Sequence, residues 1–190
     1  MENRIAGLII EPPRPADLES AYMVFERSIS QAFELEGISQ DAPAEIEYKK
    51  GLIRRAVEGG DPDLFFLVAK LGGRAIGTIS YGPCGEDVRK CMGSELEPFG
   101  ELGTIYVLPE YQGQGVASAL ISAMLENLKK RGVERFYLDC GLKLAQQKWL
   151  RKFGTPCRTA KDYWGPGSDH LIWLCSAADF VGVPPQNPNR

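Results

Sequence analysis

Hydrophobic positions recur at three- and four-residue spacing in some stretches of this chain and at two-residue spacing or in short unbroken runs in others. The two rhythms separate helices from strands. Ala6 to Glu11 is a short apolar strand that Pro12-Pro13 stops. Pro15 then opens a helix on which Leu18, Ala21, Tyr22, Phe25 and Ile29 share one face. A second helix over Glu45 to Val57 gathers Ile46, Ile53, Ala56 and Val57 on one side. Leu64 to Lys70 and Ala75 to Tyr81 are β-rich runs around Gly72-Gly73, which predicts a hairpin. Gly82 to Gly100 reads as a long polar loop, and Glu101 to Leu108 as the next strand. Beyond Pro109 and a glycine-rich turn, Val116, Leu120, Ile121, Met124, Leu125 and Leu128 form an apolar stripe on a helix that Gly132 ends. Phe136 to Cys140 is a strand, Ala145 to Phe153 a short basic helix closed by Gly154, and His170 to Cys175 a last strand. The order, β-α-α-β-β-β-α-β-α and then a final strand or hairpin, predicts an α/β (α+β) fold. Its mixed sheet is flanked by helices and begins as an antiparallel meander. Residues 1–182 are expected to form a single domain, and the Pro/Asn-rich stretch 183–190 a frayed tail.

Composition excludes several functional classes. The 190 residues are 44% hydrophobic and 25% charged, values that leave no room for wholesale disorder, collagen or coiled coil. The longest apolar run, Leu64 to Ala69, is far short of the roughly 20 residues a bilayer-spanning helix needs. Met1-Glu-Asn-Arg4 has no apolar segment behind a basic start, so the expectation is a soluble, cytoplasmic protein without a membrane partner. A net charge of −3 argues against nucleic acid as a general partner. That sum hides an asymmetry: residues 127–161 hold ten basic and two acidic side chains, whereas residues 84–101 hold five acidic and two basic ones. The five cysteines, at 84, 91, 140, 157 and 175, form no CxxC pair, and His170 is the only histidine, so no metal or disulfide framework is expected. Cys140, at a strand end with no histidine motif near it, reads as a small core hydrophobe rather than a nucleophile.

The chemistry is concentrated between Pro109 and Ser118. A strand, a tight glycine loop and a helix N-terminus together present unpaired N–H groups and the positive end of the helix dipole, which suits an anion such as a pyrophosphate. Gln112-Gly113-Gln114-Gly115-Val116-Ala117 fits the pattern Q/R-x-x-G-x-G/A and follows the strand that ends Val107-Leu-Pro-Glu-Tyr111. Over residues 101–125 this resembles the GCN5-related N-acetyltransferase (GNAT) family, and the element order is consistent with that fold from residue 6 to 175. A Rossmann dinucleotide site is the competing reading, because Gly113-x-Gly115-x-x-Ser118 is nearly GxGxxG and Asp139 ends the following strand. Against it stand Ser118 in place of the third glycine, the four residues between strand and first glycine, and a hairpin where a βαβ unit belongs.

The resemblance implies acetyl-CoA as cosubstrate and an N-acetyltransferase acting on a primary amine of a small molecule or peptide by direct attack. It places the pantetheine arm along the backbone of Ile105, Tyr106 and Val107, with one N–H there polarising the thioester carbonyl. It places the pyrophosphate on the amides of Gln112, Gly113, Gln114, Gly115, Val116 and Ala117, with Ser118. Glu101 matches a catalytic glutamate of the histone-acetylating branch, and strict alternation would set it on one face with Gly103, Ile105 and Val107. The chain departs from the family at the acid: counting back four residues from Gly154 lands on Leu150 rather than a tyrosine, and the usual upstream asparagine falls on Lys143. Tyr163 is the candidate substitute. The departure also leaves open a non-catalytic acyl-CoA-binding sensor of the same fold.

Lys148, Arg151 and Lys152 either engage the coenzyme's 3′-phosphate or form a solvated helix face. Asp162, Tyr163, Trp164, His170 and the acidic loop from Glu86 to Glu97 are expected around the acceptor, where an acidic rim favours a cationic amine. The His170 to Cys175 strand offers an edge for pairing in a homodimer.

Overall fold

Two glycines set the first turn of the sheet. In this computed structural model, which describes residues 5–180, Gly72 and Gly73 have φ of +56° and +79°. A two-residue type I′ turn needs that left-handed pair. It joins β2 (Phe65–Leu71) to β3 (Arg74–Gly82) in antiparallel register. With β1 (Ile9–Glu11), β4 (Glu101–Val107), β5 (Arg135–Cys140), β6 (Arg158–Ala160) and β7 (His170–Ser176), the sheet has seven strands in the order β1-β2-β3-β4-β5-β7-β6. The first four form the expected antiparallel meander, β4 and β5 run parallel, and β5, β7 and β6 are antiparallel. This mixed order is not the parallel sheet of a dinucleotide-binding fold. The tail at 183–190 and the boundary at residue 182 lie outside the described residues.

The helices follow their apolar stripes. α1 (Leu18–Glu36) buries Ala21, Val24, Phe25 and Ile29 completely and ends at Gly37, whose φ is +75°. α2 (Ala42–Glu58) starts three residues before the predicted Glu45, because Pro43 suits a first helical turn, where its missing N–H costs nothing. α4 (Val116–Lys130) buries the whole predicted stripe, and α5 (Lys143–Phe153) packs on β5 and β7. No helix among the described residues is long and apolar enough to cross a membrane.

Three features depart from the sequence reading. The polar loop from Gly82 to Gly100 contains α3 (Glu86–Met92), which buries Val88 and Met92 against Cys84, Tyr137 and Ile172 in a second, smaller core. Two apolar positions four apart are too few for a helical period to stand out. The strand at 170–176 is interior rather than a free edge over its first half, since β6 pairs with His170–Ile172. Finally, β4 carries a bulge. Its register against β3 shifts between Thr78 and Ser80, and Thr104 takes a φ of +53°. The extra residue resets the alternation: Glu101 and Gly103 share a face as expected, but Val107 turns into the core with Leu102.

Candidate active site

β4 and β5 are in parallel register only at Glu101 and Tyr137, beside a 2.8 Å bond from Tyr137 N–H to the Gly100 carbonyl. Beyond that point no further β4–β5 register pair forms, so the C-terminal half of β4, including Ile105 and Tyr106, borders an opening in the sheet. The loop after β4 lies at its far end. Gly113 and Gly115 take φ of +73° and +84°, which lets the chain turn sharply into α4. Gln112 to Gly115 are exposed, and the N–H groups from Gly113 to Ser118 have no acceptor among the described residues. These are the orphan amides of a helix start, collected on one exposed turn.

The side chains of this loop brace it. Gln112 Nε2 donates to the Val107 carbonyl at 3.0 Å, and Gln114 Nε2 to the Glu110 carbonyl at 2.7 Å. Ser28 Oγ donates to the same Val107 carbonyl at 2.9 Å, so that oxygen is satisfied internally and only the strand's other backbone groups can serve a ligand. Tyr106 points to the side of α2, where its hydroxyl donates to Glu45 at 3.3 Å and its ring meets Phe25 edge-on.

Glu101 sits at the start of the opening, between two glycines. A Cβ on Gly103 would lie 3.2 Å from its Oε1, and one on Gly85 would lie 3.3 Å from its Oε2. The Gly85 N–H donates to Oε2 at 2.7 Å. Burial, and then the neighbouring Asp139 carboxylate, push the Glu101 carboxyl up to about 8, against the opposing pull of the Gly85 N–H and of Lys49. A cavity of about 50 Å³ opens beside it, lined by Tyr48, Lys49, Leu64, Ser80 and Thr104 among others. That volume has room for a few water molecules. Lys49 is ion-paired with Glu45 at 3.2 Å; burial works against its charge, but Tyr106, Glu45 and Asp139 outweigh it and hold its pKa above the usual lysine value.

Tyr163 lies in the β6–β7 loop, and its hydroxyl donates to Asp87 Oδ1 at 2.7 Å. Burial and that carboxylate raise its pKa, which makes it a weaker acid than a free tyrosine. Leu150 is on the exposed side of α5. Lys148, Arg151 and Lys152 are exposed too, and desolvation lowers the pKa of Lys152. Burial pushes the Cys140 thiol up to about 12, so it supplies no thiolate at neutral pH. Asp139 is hydrogen-bonded to His170 at 3.0 Å rather than left free for a ribose.

Glu101 and the glycine loop stand at the start of β4 and beyond its end, and Asp87, on α3, lies in the acidic stretch from Glu86 to Glu97 expected around the acceptor. Lys49 and Glu45 are not singled out by the sequence, because Tyr48-Lys49-Lys50 reads as a solvated helix face. Among the described residues no group of three or more His, Cys, Asp or Glu could hold a metal ion.

A family model described as "Acetyltransferase (GNAT) family" matches residues 26–154. No curated protein sequence matches the chain. Among solved structures, a GNAT-family protein from Desulfovibrio desulfuricans superposes with a TM-score of 0.70 at 17% identity, covering 90% of this chain and 99% of that one. PaiA N-acetyltransferase from Thermoplasma acidophilum, crystallised with coenzyme A, gives 0.62 at 17% identity, with 88% and 99% covered. A ribosomal-protein-alanine N-acetyltransferase from Brucella melitensis gives 0.62 at 21%, with 88% and 99% covered. At these identities the likeness is one of fold.

Proposed function

The chain belongs to the GNAT acetyltransferase family, and from that premise we propose that it transfers the acetyl group of acetyl-CoA to a primary amine of a small molecule or peptide by direct attack. The observation that carries the reading is the pairing of two features along β4. A carboxyl poised near neutrality stands at its start, and a turn of unpaired amides follows its end. The residues fit the coenzyme: the amides from Gly113 to Ser118 would hold the pyrophosphate, and the backbone of β4 over Ile105, Tyr106 and Val107, where no β5 residue pairs with it, would run beside the pantetheine arm. The neighbour from Thermoplasma acidophilum, which carries coenzyme A on the same fold, supports this.

Acetyl-CoA supplies an activated thioester. Glu101 takes a proton from the acceptor's ammonium, directly or through water in the adjoining cavity. The freed nitrogen lone pair forms the C–N bond as the C–S bond breaks, and a backbone N–H of β4 stabilises the oxygen that gains charge, an effect worth about 3 kcal/mol. A thiol of pKa about 8.5 departs as thiolate; the second proton that the nitrogen sheds as the amide forms passes through solvent and meets the thiolate. Because a thiolate is a tolerable leaving group, the step proceeds without a protein acid, and Tyr163 keeps its hydrogen bond to Asp87.

Thermal unfolding with acetyl-CoA, with NADH in parallel, tests the reading. Stabilisation by acetyl-CoA alone, followed by release of free thiol on adding amines, is the expected result. Binding with no turnover across amines would favour an acyl-CoA sensor. Stabilisation by NADH alone would overturn the coenzyme assignment.

A further inference from the structure

A hydrogen-bonded chain stands beside the base, and the transfer chemistry above does not use it. Trp164 Nε1–H donates to His170 Nδ1 at 3.1 Å, which leaves the ring proton on Nε2 for Asp139 Oδ2 at 3.0 Å. His170 is 2% exposed. The indole is itself seated: a Cβ on Gly141 would lie 2.5 Å from Trp164 Nε1, so only glycine lets it rest on the end of β5. Tyr163 packs edge-on against it at 4.9 Å between ring centroids. Asp139 is two residues beyond Tyr137, the register partner of Glu101, so strand alternation sets Asp139 on the same sheet face as Glu101 where β4 and β5 part.

We propose that Asp139, His170 and Trp164 are positioning residues for Glu101: they hold a fixed negative charge across the opening from the base, so that it receives the proton of the incoming ammonium. This rests on the reading of Glu101 as that base. In the step it assists, the proton leaves the acceptor nitrogen for a Glu101 oxygen, and the lone pair so freed forms the C–N bond as the thioester C–S bond breaks and its electron pair leaves on the coenzyme's thiolate. A carboxylate of ordinary acidity is a poor partner for an ammonium of pKa near 10, and each unit by which its proton affinity rises makes the transfer tenfold less unfavourable. The other groups facing Glu101 are Lys49 on α2, which opposes the effect, and Asp87 on α3, which adds to it. Cys84 also lies within its field. Asp139 is in turn faced by His170, Lys49, Cys84, Cys91 and Cys140. A histidine whose proton is already committed orients Asp139 without adding a positive charge to cancel it. The chain thus explains why a buried imidazole, an aspartate and a glycine-seated indole stand in line at this point of the sheet.

The test is a titration of Glu101 by carboxyl ¹³C NMR in the wild type and in Asp139→Asn. The midpoint is expected to fall by about one unit or more in the variant, while stabilisation by acetyl-CoA persists. An unmoved midpoint in folded Asp139→Asn overturns the proposal. Because His170 is the only histidine, its ring nitrogens are read without ambiguity. The wild type should show the Nε2–H tautomer, and Trp164→Phe, which removes the donor and trims the ring while keeping an aromatic at the position, should let the Nδ1–H form appear. A His170 spectrum unchanged in Trp164→Phe also overturns the proposal, even if Asp139→Asn does not fold. Failure of the wild type to bind acetyl-CoA would overturn the acetyltransferase reading whatever the titrations show, so the two failures are separable.

Discussion

The Glu36 carboxylate accepts a 2.8 Å hydrogen bond from the backbone N–H of Leu144. Glu36 is the last residue of α1, which packs on β3 and β4, and Leu144 is in the first turn of α5, which packs on β5 and β7. The bond therefore ties the two halves of the sheet together across the place where β4 and β5 separate. It also supplies, from a distant segment, the cap that α5 lacks from its own N-terminal residue.

Removing that cap should be felt as stability. Glu36→Ala loses a charge-assisted bond and a favourable dipole contact, together about 1 kcal/mol, which lowers Tm by roughly 2–4 °C in a chain of this size. Differential scanning calorimetry checks it. Glu36→Gln, which keeps an acceptor oxygen, should recover about half of the loss.

The glycine loop gives a prediction in which strain and binding separate. Gly113 has a φ of +73°, and a methyl group added to its Cα would meet no atom within 4 Å, so Gly113→Ala costs only backbone strain, about 1 kcal/mol. Gly115→Glu adds to a comparable strain a negative side chain among amides that await an anion. Acetyl-CoA at about 100 times its dissociation constant should stabilise the wild type by about 2.7 kcal/mol and Gly115→Glu not at all. If Gly115→Glu retained the full shift in thermal unfolding, the coenzyme would not lie on this turn.

Glu101 predicts two pH dependences. Its carboxyl is raised in the folded state to about 8, from an ordinary value of 4.5. The protonated form is thus the one the fold prefers: the stability it contributes is full below about pH 4.5 and is lost as pH rises through about 8. Glu101→Gln should match the wild type at pH 4 and exceed it in Tm at pH 8.5. Activity runs the other way, because the base must be ionised. Turnover in the wild type should climb through pH 8 and level above it, and Glu101→Gln should lose about 100-fold or more together with that limb.

Much of this site was legible as spacing, and the rest was not. Gly113 and Gly115 were readable because a turn into a helix at positive φ leaves glycine as the cheap choice. Glu101 was readable because it opens the strand before that turn. The bulge was not: Thr104 reaches φ +53° without a glycine, so nothing in Glu101-Leu-Gly-Thr-Ile-Tyr-Val107 announces that Val107 changes face. Nor was the Asp139–His170 bond, which depends on β7 lying beside β5 although 29 residues separate the two strands in sequence. Pairing order is a property of the closed sheet, and single-strand patterns do not carry it. α3 was missed for a simpler reason, since its two buried side chains depend on Tyr137 and Ile172 from distant strands to make them a core.

At the opposite end of the sheet, Asp17 and Lys70 form a buried ion pair at 2.6 Å, each side chain 5% exposed. Lys70 also reaches Glu11 at 3.0 Å, and the Arg14 N–H donates to Asp17 at 2.8 Å. Burial raises the Asp17 pKa, but Lys70 and the Arg14 N–H outweigh it, so the net direction is down from 3.8. A depressed carboxyl stabilises the fold above its unfolded pKa, and that contribution is lost as pH falls below 3.8 and through the lower folded value. Asp17→Asn leaves the Lys70 charge with Glu11 alone, and should cost about 3 kcal/mol, a Tm fall of roughly 6–12 °C at pH 7. The gap between the two proteins should narrow as the pH is taken below 3.8, because the wild type then loses the same charge. A double variant, Asp17→Leu with Lys70→Met, removes both charges and should recover most of the loss in urea unfolding. The cost of the single variant would then be that of an unpaired buried cation rather than the net worth of the pair.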